Sequence, residues 1–165
     1  MSRGPGKIQQ AIETAMSSRA DDFLTVAELA AIAYPGLNRI EKKHRVAVAR
    51  AALGASKTTG WWYRRAEMPG GLNIYFNPFE IRSYVLSLVR SQLVAATIPD
   101  DELRAMYDGR TEAPRWLQRY VDSAQRGQPF WFHVEINRAD RDGQAAYAVT
   151  LRARLERLVL TGKEE

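Results

Sequence analysis

The chain has no cysteine and only two histidines in 165 residues. Without a thiol there is no disulfide framework, thiol nucleophile or thiolate metal site. Two histidines leave little from which to build a nucleophilic triad or a zinc centre. No apolar run approaches the roughly 20 residues that span a bilayer. The stretch Met1-Ser2-Arg3-Gly4-Pro5-Gly6-Lys7 lacks the apolar core of a signal peptide. No internal repeat or low-complexity tract occurs. A cytoplasmic protein with no membrane partner is the expectation. At 45% apolar and 26% charged residues, the composition is that of a globular chain of one domain or two small ones.

Three motifs resemble sites and fail on their details. Gly4-Pro5-Gly6-Lys7 has the Gly-Lys of a phosphate loop, but Ile8 follows the lysine, the leading glycine is absent and no strand precedes it. His133-Val134-Glu135 has the His-x-Glu of zinc deaminases without their cysteines. Asp140-Arg141-Asp142-Gly143 suggests a calcium loop, yet Arg138 stands where the first acid belongs and Val149 where the closing Glu belongs, so it is a turn. Asp100-Asp101 lies at a helix start, where acids complement the macrodipole. No catalytic residue, cofactor or metal is expected, and the chain reads as non-enzymatic.

Acid is scarce in one place. Residues 39–65 hold eight Lys or Arg and a single acid, Glu41. Residues 1–79 carry 11 basic against 6 acidic residues, net +5, whereas 80–165 carry 13 against 13. The whole excess therefore sits in the first half. A basic half joined to a neutral half suits a nucleic-acid reader attached to an assembly or sensing module.

Periodicity and capping predict the elements. A first helix covers about 5–17, with Pro5 at its first position and Ile8, Ala11, Ile12, Ala15 and Met16 as its apolar stripe. Thr25-Val26-Ala27-Glu28 is a capping box that opens a second helix, ended by Pro35-Gly36. Asn38 caps a third, running to about Leu53 near Gly54. Its buried face is Ile40, His44, Ala47, Val48, Ala51 and Ala52, which makes His44 a core residue rather than a reader. Arg39, Lys42, Lys43, Val46 and Arg50 fall opposite. Residues 61–66 and 72–76 form a hairpin around Met68-Pro69-Gly70-Gly71, with Trp61 and Trp62 as packing residues. Asn77-Pro78 opens a fourth helix to about Thr97. Short helices follow at 99–107 and 114–125, then a strand at 130–136. Residues 144–160 form a helix, with a hairpin over 146–151 as the alternative. The aromatic group Trp116, Tyr120, Phe130, Trp131 and Phe132 packs as core or lines a small-molecule pocket.

The order helix, helix, basic helix, hairpin resembles a winged helix-turn-helix DNA-binding domain over about residues 4–78. The likeness rests on Thr25-Val26-Ala27-Glu28-Leu29-Ala30, on His44-Arg45-Val46-Ala47-Val48-Ala49-Arg50-Ala51-Ala52, and on Gly60-Trp61-Trp62 as the entry to the wing. It departs from the usual pattern in the long segment 54–60 and in the paired tryptophans. The fold expectation is mainly α with a small β-hairpin: a winged domain at 1–78 and a mostly helical region at 79–165. The resemblance implies a recognition helix in the major groove and a wing against the DNA backbone or minor groove. Candidate contacts are Arg39, Lys42, Lys43, Arg45, Val46 and Arg50 on the helix, with Val46 placed to touch a thymine methyl. Lys57 and Thr58, ahead of the wing, suit phosphates, with Lys7 as a further candidate. Arg64 and Arg65 alternate on a wing strand, so one of them faces DNA.

The expected function is sequence-specific binding of double-stranded DNA by a prokaryotic transcriptional regulator. It would act as a homodimer through residues 79–165 on an inverted repeat. A DNA-coating partitioning or replication protein, and a protein–protein adaptor using the same surface, are the alternatives.

Overall fold

The structure, a computed structural model, describes residues 6–161. Pro5, expected at the first helical position, lies outside the described residues. Seven α-helices and three strands are present among them: α1 (Lys7–Ser18), β1 (Phe23–Thr25), α2 (Val26–Ala33), α3 (Lys42–Thr59), β2 (Trp62–Arg65), β3 (Asn73–Phe76), α4 (Ile81–Ser91), α5 (Asp100–Tyr107), α6 (Arg115–Arg141) and α7 (Ala145–Thr161). A 3-10 turn occupies Leu93–Ala95. The chain divides into two compact units, Met1–Pro114 and Arg115–Glu165. The boundary expected between 78 and 79 falls inside the first unit, because α4 packs on β3 and α5 packs on α4.

In place of a lone hairpin the first unit has a three-stranded antiparallel sheet, ordered β1-β3-β2. Three residues of β1 are too few to show an alternating pattern, so sequence alone did not reveal the strand. Thr25 serves two elements. It pairs opposite Ile74 at the end of β1, and its hydroxyl accepts the Glu28 amide while Glu28 accepts the Thr25 amide, forming the capping box of α2.

The sheet is covered on both faces. Leu24 and Tyr75 join Ile12, Met16, Leu29, Val48 and Ala52 in the core made by α1, α2 and α3. Phe23, Ile74 and Phe76 project to the other side, where the Phe76 ring meets Tyr84 of α4 at 6.1 Å. Trp61 seals the helical core at 5% exposure, and Trp62 packs edge-on against Phe76.

Two expected helix ends move, for identifiable reasons. Gly54 does not terminate α3. A Cβ there would sit 2.8 Å from Gln9 Oε1, the end of a side chain that can move aside, and the helix simply runs through the glycine beside α1. Gly60, at φ +76°, is the true C-cap, and its amide donates to the Ser56 carbonyl. At the other end α3 begins at Lys42 rather than after Asn38, because His44 Nδ1 accepts the Glu41 amide at 3.2 Å and caps the first turn. The fourth helix is shorter than its apolar pattern suggests. Gln92 is extended after Ser91, and Arg90 donates to the carbonyls of Ala95 and Ile98 to hold the 3-10 turn.

α5 is tied down by charge. Arg104, 6% exposed, donates to Asp22 and Glu28 at 2.9 and 2.8 Å, to Asp101, and to the Phe23 carbonyl. Its guanidinium also lies over the Phe23 ring at 4.5 Å. Burial lowers the pKa of this group, but Glu28 and Asp22 outweigh burial and the net shift is upward. Arg82 of α4 adds a second bridge, to Asp108 and Asp22.

In the second unit, α6 and α7 form a helical hairpin turned at Gly143, φ +70°. The strand expected at 130–136 is helix instead. Phe130, Phe132, Val134 and Ile136 alternate in sequence, but burial follows Gln128, Phe132, Ile136 and Ala139, at helical spacing. The helix expected over 144–160 is present as α7, Ala145–Thr161. Among the five aromatics of the expected cluster only Phe132 is fully buried, so they do not make one core.

Replacing Arg104 with Met removes the cation shared by Asp22, Glu28 and Asp101, leaving Asp22 to Arg19 and Arg82 and Glu28 to Arg19. Urea denaturation should show a loss of about 2–3 kcal/mol, less than a buried charge left wholly unpaired would cost. Arg110→Ala, which breaks only the Arg110–Asp108 pair beside an exposed guanidinium, should cost less than about 1 kcal/mol.

Candidate nucleic-acid interface

The buried side of α3 is made of small residues, Val48, Ala52 and Ala55, which lets the helix sit tightly on α1 and α2. At about 100° per residue, the opposite line carries Lys42, Lys43, Val46, Arg50, Leu53 and Lys57. All six are exposed, Val46 by 52% and Leu53 by 41%. The helix spans about 27 Å, long enough to run through a major groove.

The extension of α3 to Thr59 changes several assignments. Lys57 and Thr58 are not in a loop before the hairpin but on the last turn of the helix. Lys57 thereby joins the line of Lys43 and Arg50 at seven-residue steps, while Thr58 is rotated to the side and donates to the Gly54 carbonyl. Leu53, expected at the helix end, is instead a mid-face residue. Its placement depends on Gly54 staying helical, for which the sequence pattern gave no sign. Arg39 is exposed but precedes the helix, so it is not on the outward face of α3. Arg45 is exposed on the flank of that face. His44 is half-buried, tilted on the Tyr34 ring at 4.7 Å and engaged as the cap, which keeps it off the outward face.

Among the described residues, Arg39, Lys42, Arg45, Arg50, Lys57 and Arg65 form no ion pair with an acid. Lys43 reaches Glu41 at 3.0 Å, with both side chains exposed. Such a pair is worth little in water and exchanges readily.

The two arginines of β2 separate by strand register. Arg64 pairs across β3 with Ile74 and shares its inward side. Its guanidinium lies 4.4 Å from the Phe76 ring centre and 5.3 Å from that of Tyr84. Burial pushes its pKa down, offset in part by the Tyr84 hydroxyl. Arg64 is therefore a packing residue rather than an outward cation. Arg65 pairs with Asn73 and is exposed beside Tyr63, itself 53% exposed. The Arg65 side chain folds across Gly71, where a Cβ would come within 2.3 Å of its Nε and where φ is +33°. Lys7 is exposed on the first turn of α1.

The arrangement offers fixed cations and two aliphatic side chains on one rigid helix, with a further cation on the adjoining strand. Among the described residues, no group of three His, Asp or Glu is placed to hold a metal, and no helix is long and apolar enough to cross a membrane. No protein-family model, curated protein or solved structure matches the chain.

Proposed function

We propose that the protein binds double-stranded DNA sequence-specifically, with α3 in the major groove and Arg65 at the wing against the backbone. It would act as a dimeric transcriptional regulator of the winged helix-turn-helix class. The observation that carries this reading is the outward face of α3. Four cations, Lys42, Lys43, Arg50 and Lys57, surround Val46 and Leu53, and none of the side chains on that face is needed to hold the fold. The order of α1, α2, α3 and the β2–β3 hairpin supports the class. Lysine and arginine neutralise phosphates and reach guanine acceptors, while an aliphatic side chain fits the thymine methyl.

Val46 and Leu53 are seven residues apart on one line, about 10 Å along the axis, or about three base-pair steps. The preferred site should therefore carry two thymine methyls at that spacing in the major groove. Two-fold assembly would place the half-site centres about 34 Å apart or at a multiple of that distance.

Selection of bound genomic fragments followed by footprinting should return one inverted repeat. Protection that spreads from a start point would favour a DNA-coating protein, and recovery of no DNA would favour an adaptor. On a selected duplex, the triple variant Lys42→Ala, Lys43→Ala, Arg50→Ala should bind at least about a hundredfold more weakly. Arg64→Met should stay within about twofold of wild type, since a packed side chain makes no phosphate contact. Deoxyuridine in place of thymine keeps every hydrogen-bonding edge and removes only the methyls. It should weaken wild type by about tenfold for two methyls. The Val46→Ala, Leu53→Ala variant should be insensitive to the exchange, and equal sensitivity would place the methyl contacts elsewhere.

A further inference from the structure

The β2–β3 hairpin closes through two adjacent glycines that do different jobs. In Met68-Pro69-Gly70-Gly71 the Gly71 amide donates to the Met68 carbonyl at 3.0 Å, which makes a β-turn. Pro69 takes its second place. Gly70, at φ +87°, takes the third, the left-handed position that such a turn gives to glycine or asparagine. A Cβ on Gly70 would meet nothing within 4 Å. A Cβ on Gly71 would come within 2.3 Å of Arg65 Nε, 3.0 Å of its Cγ and 3.1 Å of its Cζ. The space that a side chain at residue 71 would take is filled by the arginine, from its stem to its guanidinium.

The group held there has no acid to hold in turn. Arg65 lies on the same side of β2 as Tyr63, and both are exposed. It forms no ion pair with a described acid, Glu67 two residues on included. Arg64 beside it is accounted for by the rings of Phe76 and Tyr84, and Arg65 packs on no ring among the described residues. A guanidinium is a planar fork of donors, and a phosphate accepts two of its N–H groups side by side. An arginine ordered before contact also loses less rotamer freedom on binding than one that swings free in solvent.

We propose that Gly71 is a positioning residue, which holds the Arg65 guanidinium in place for one phosphate of the duplex. The inference rests on the DNA-binding reading above and adds a residue that acts only through Arg65. It is tested in the full chain on a selected duplex. Arg65→Ala should weaken binding by about tenfold. Gly71→Asn introduces a residue that tolerates positive φ but sets its Cβ against the arginine. It should weaken binding by about threefold to tenfold while Arg65 is present. In an Arg65→Ala background the same change should cost less than about twofold, since the two residues act as one unit. Gly70→Asn makes the same substitution one residue earlier, in open space, and should stay within about twofold of wild type. In the free protein, nitrogen relaxation at Arg65 Nε should report an ordered side chain that Gly71→Asn releases. Duplex binding that Gly71→Asn leaves unchanged, a loss that persists in full without Arg65, or an Arg65 Nε already mobile in wild type would overturn the positioning role and leave the DNA reading standing. A wild-type chain that binds no duplex would overturn both.

Discussion

β3 is buried on both faces, and the rest of the first unit is arranged around that constraint. Tyr75 points into the core of the three N-terminal helices, while Ile74 and Phe76 point toward α4. Side chains on a strand alternate, so β1 and β2 inherit the same two faces through their pairing register. Leu24 follows Tyr75, and Arg64 follows Ile74. A slip of one residue would send Arg64 outward and bring Arg65 in. Trp61 and Tyr75 share a core with Val48 and Ala52, so the hairpin and α3 are positioned by one set of contacts.

The basic residues divide by what they face. Arg104, Arg82 and Arg90 are spent inside the protein, each paired with a carboxylate, and Arg64 is spent over two aromatic rings. They join α4 and α5 to the sheet and to the start of α2. Lys42, Arg45, Arg50, Lys57 and Arg65 face outward and form no ion pair with any described acid. Counting cations in the sequence merges the two groups, and only their partners separate them. The outward group is concentrated on one helix and one strand, and its mutual repulsion is the cost that an anionic partner would relieve.

Much of this was legible beforehand where local chemistry decides. The Thr25–Glu28 capping box is a backbone-level signal and needs no tertiary contact to be recognised. The charge split and the apolar stripe of α1 are of the same kind. What escaped reading depends on distant partners. Gly54 resembles a helix terminator, yet α3 runs through it to the cap at Gly60. Phe130 to Ile136 alternates like a strand, and only its packing shows which residues are buried. β1 is too short to carry any pattern. Arg64 and Arg65 could be told to differ, but choosing between them required the register with β3. Of the outward face, Val46 was legible and Leu53 was not, because Leu53 enters the face only when α3 continues through Gly54.

The central claim is that the outward cations meet the phosphates of a duplex. Its most direct measurement is the equilibrium constant for a labelled duplex titrated over a range of salt concentrations. With about six phosphates neutralised per subunit, log K should fall linearly with log salt, with a slope of about −5 per subunit. A slope near zero, or no binding at low salt, would contradict the account.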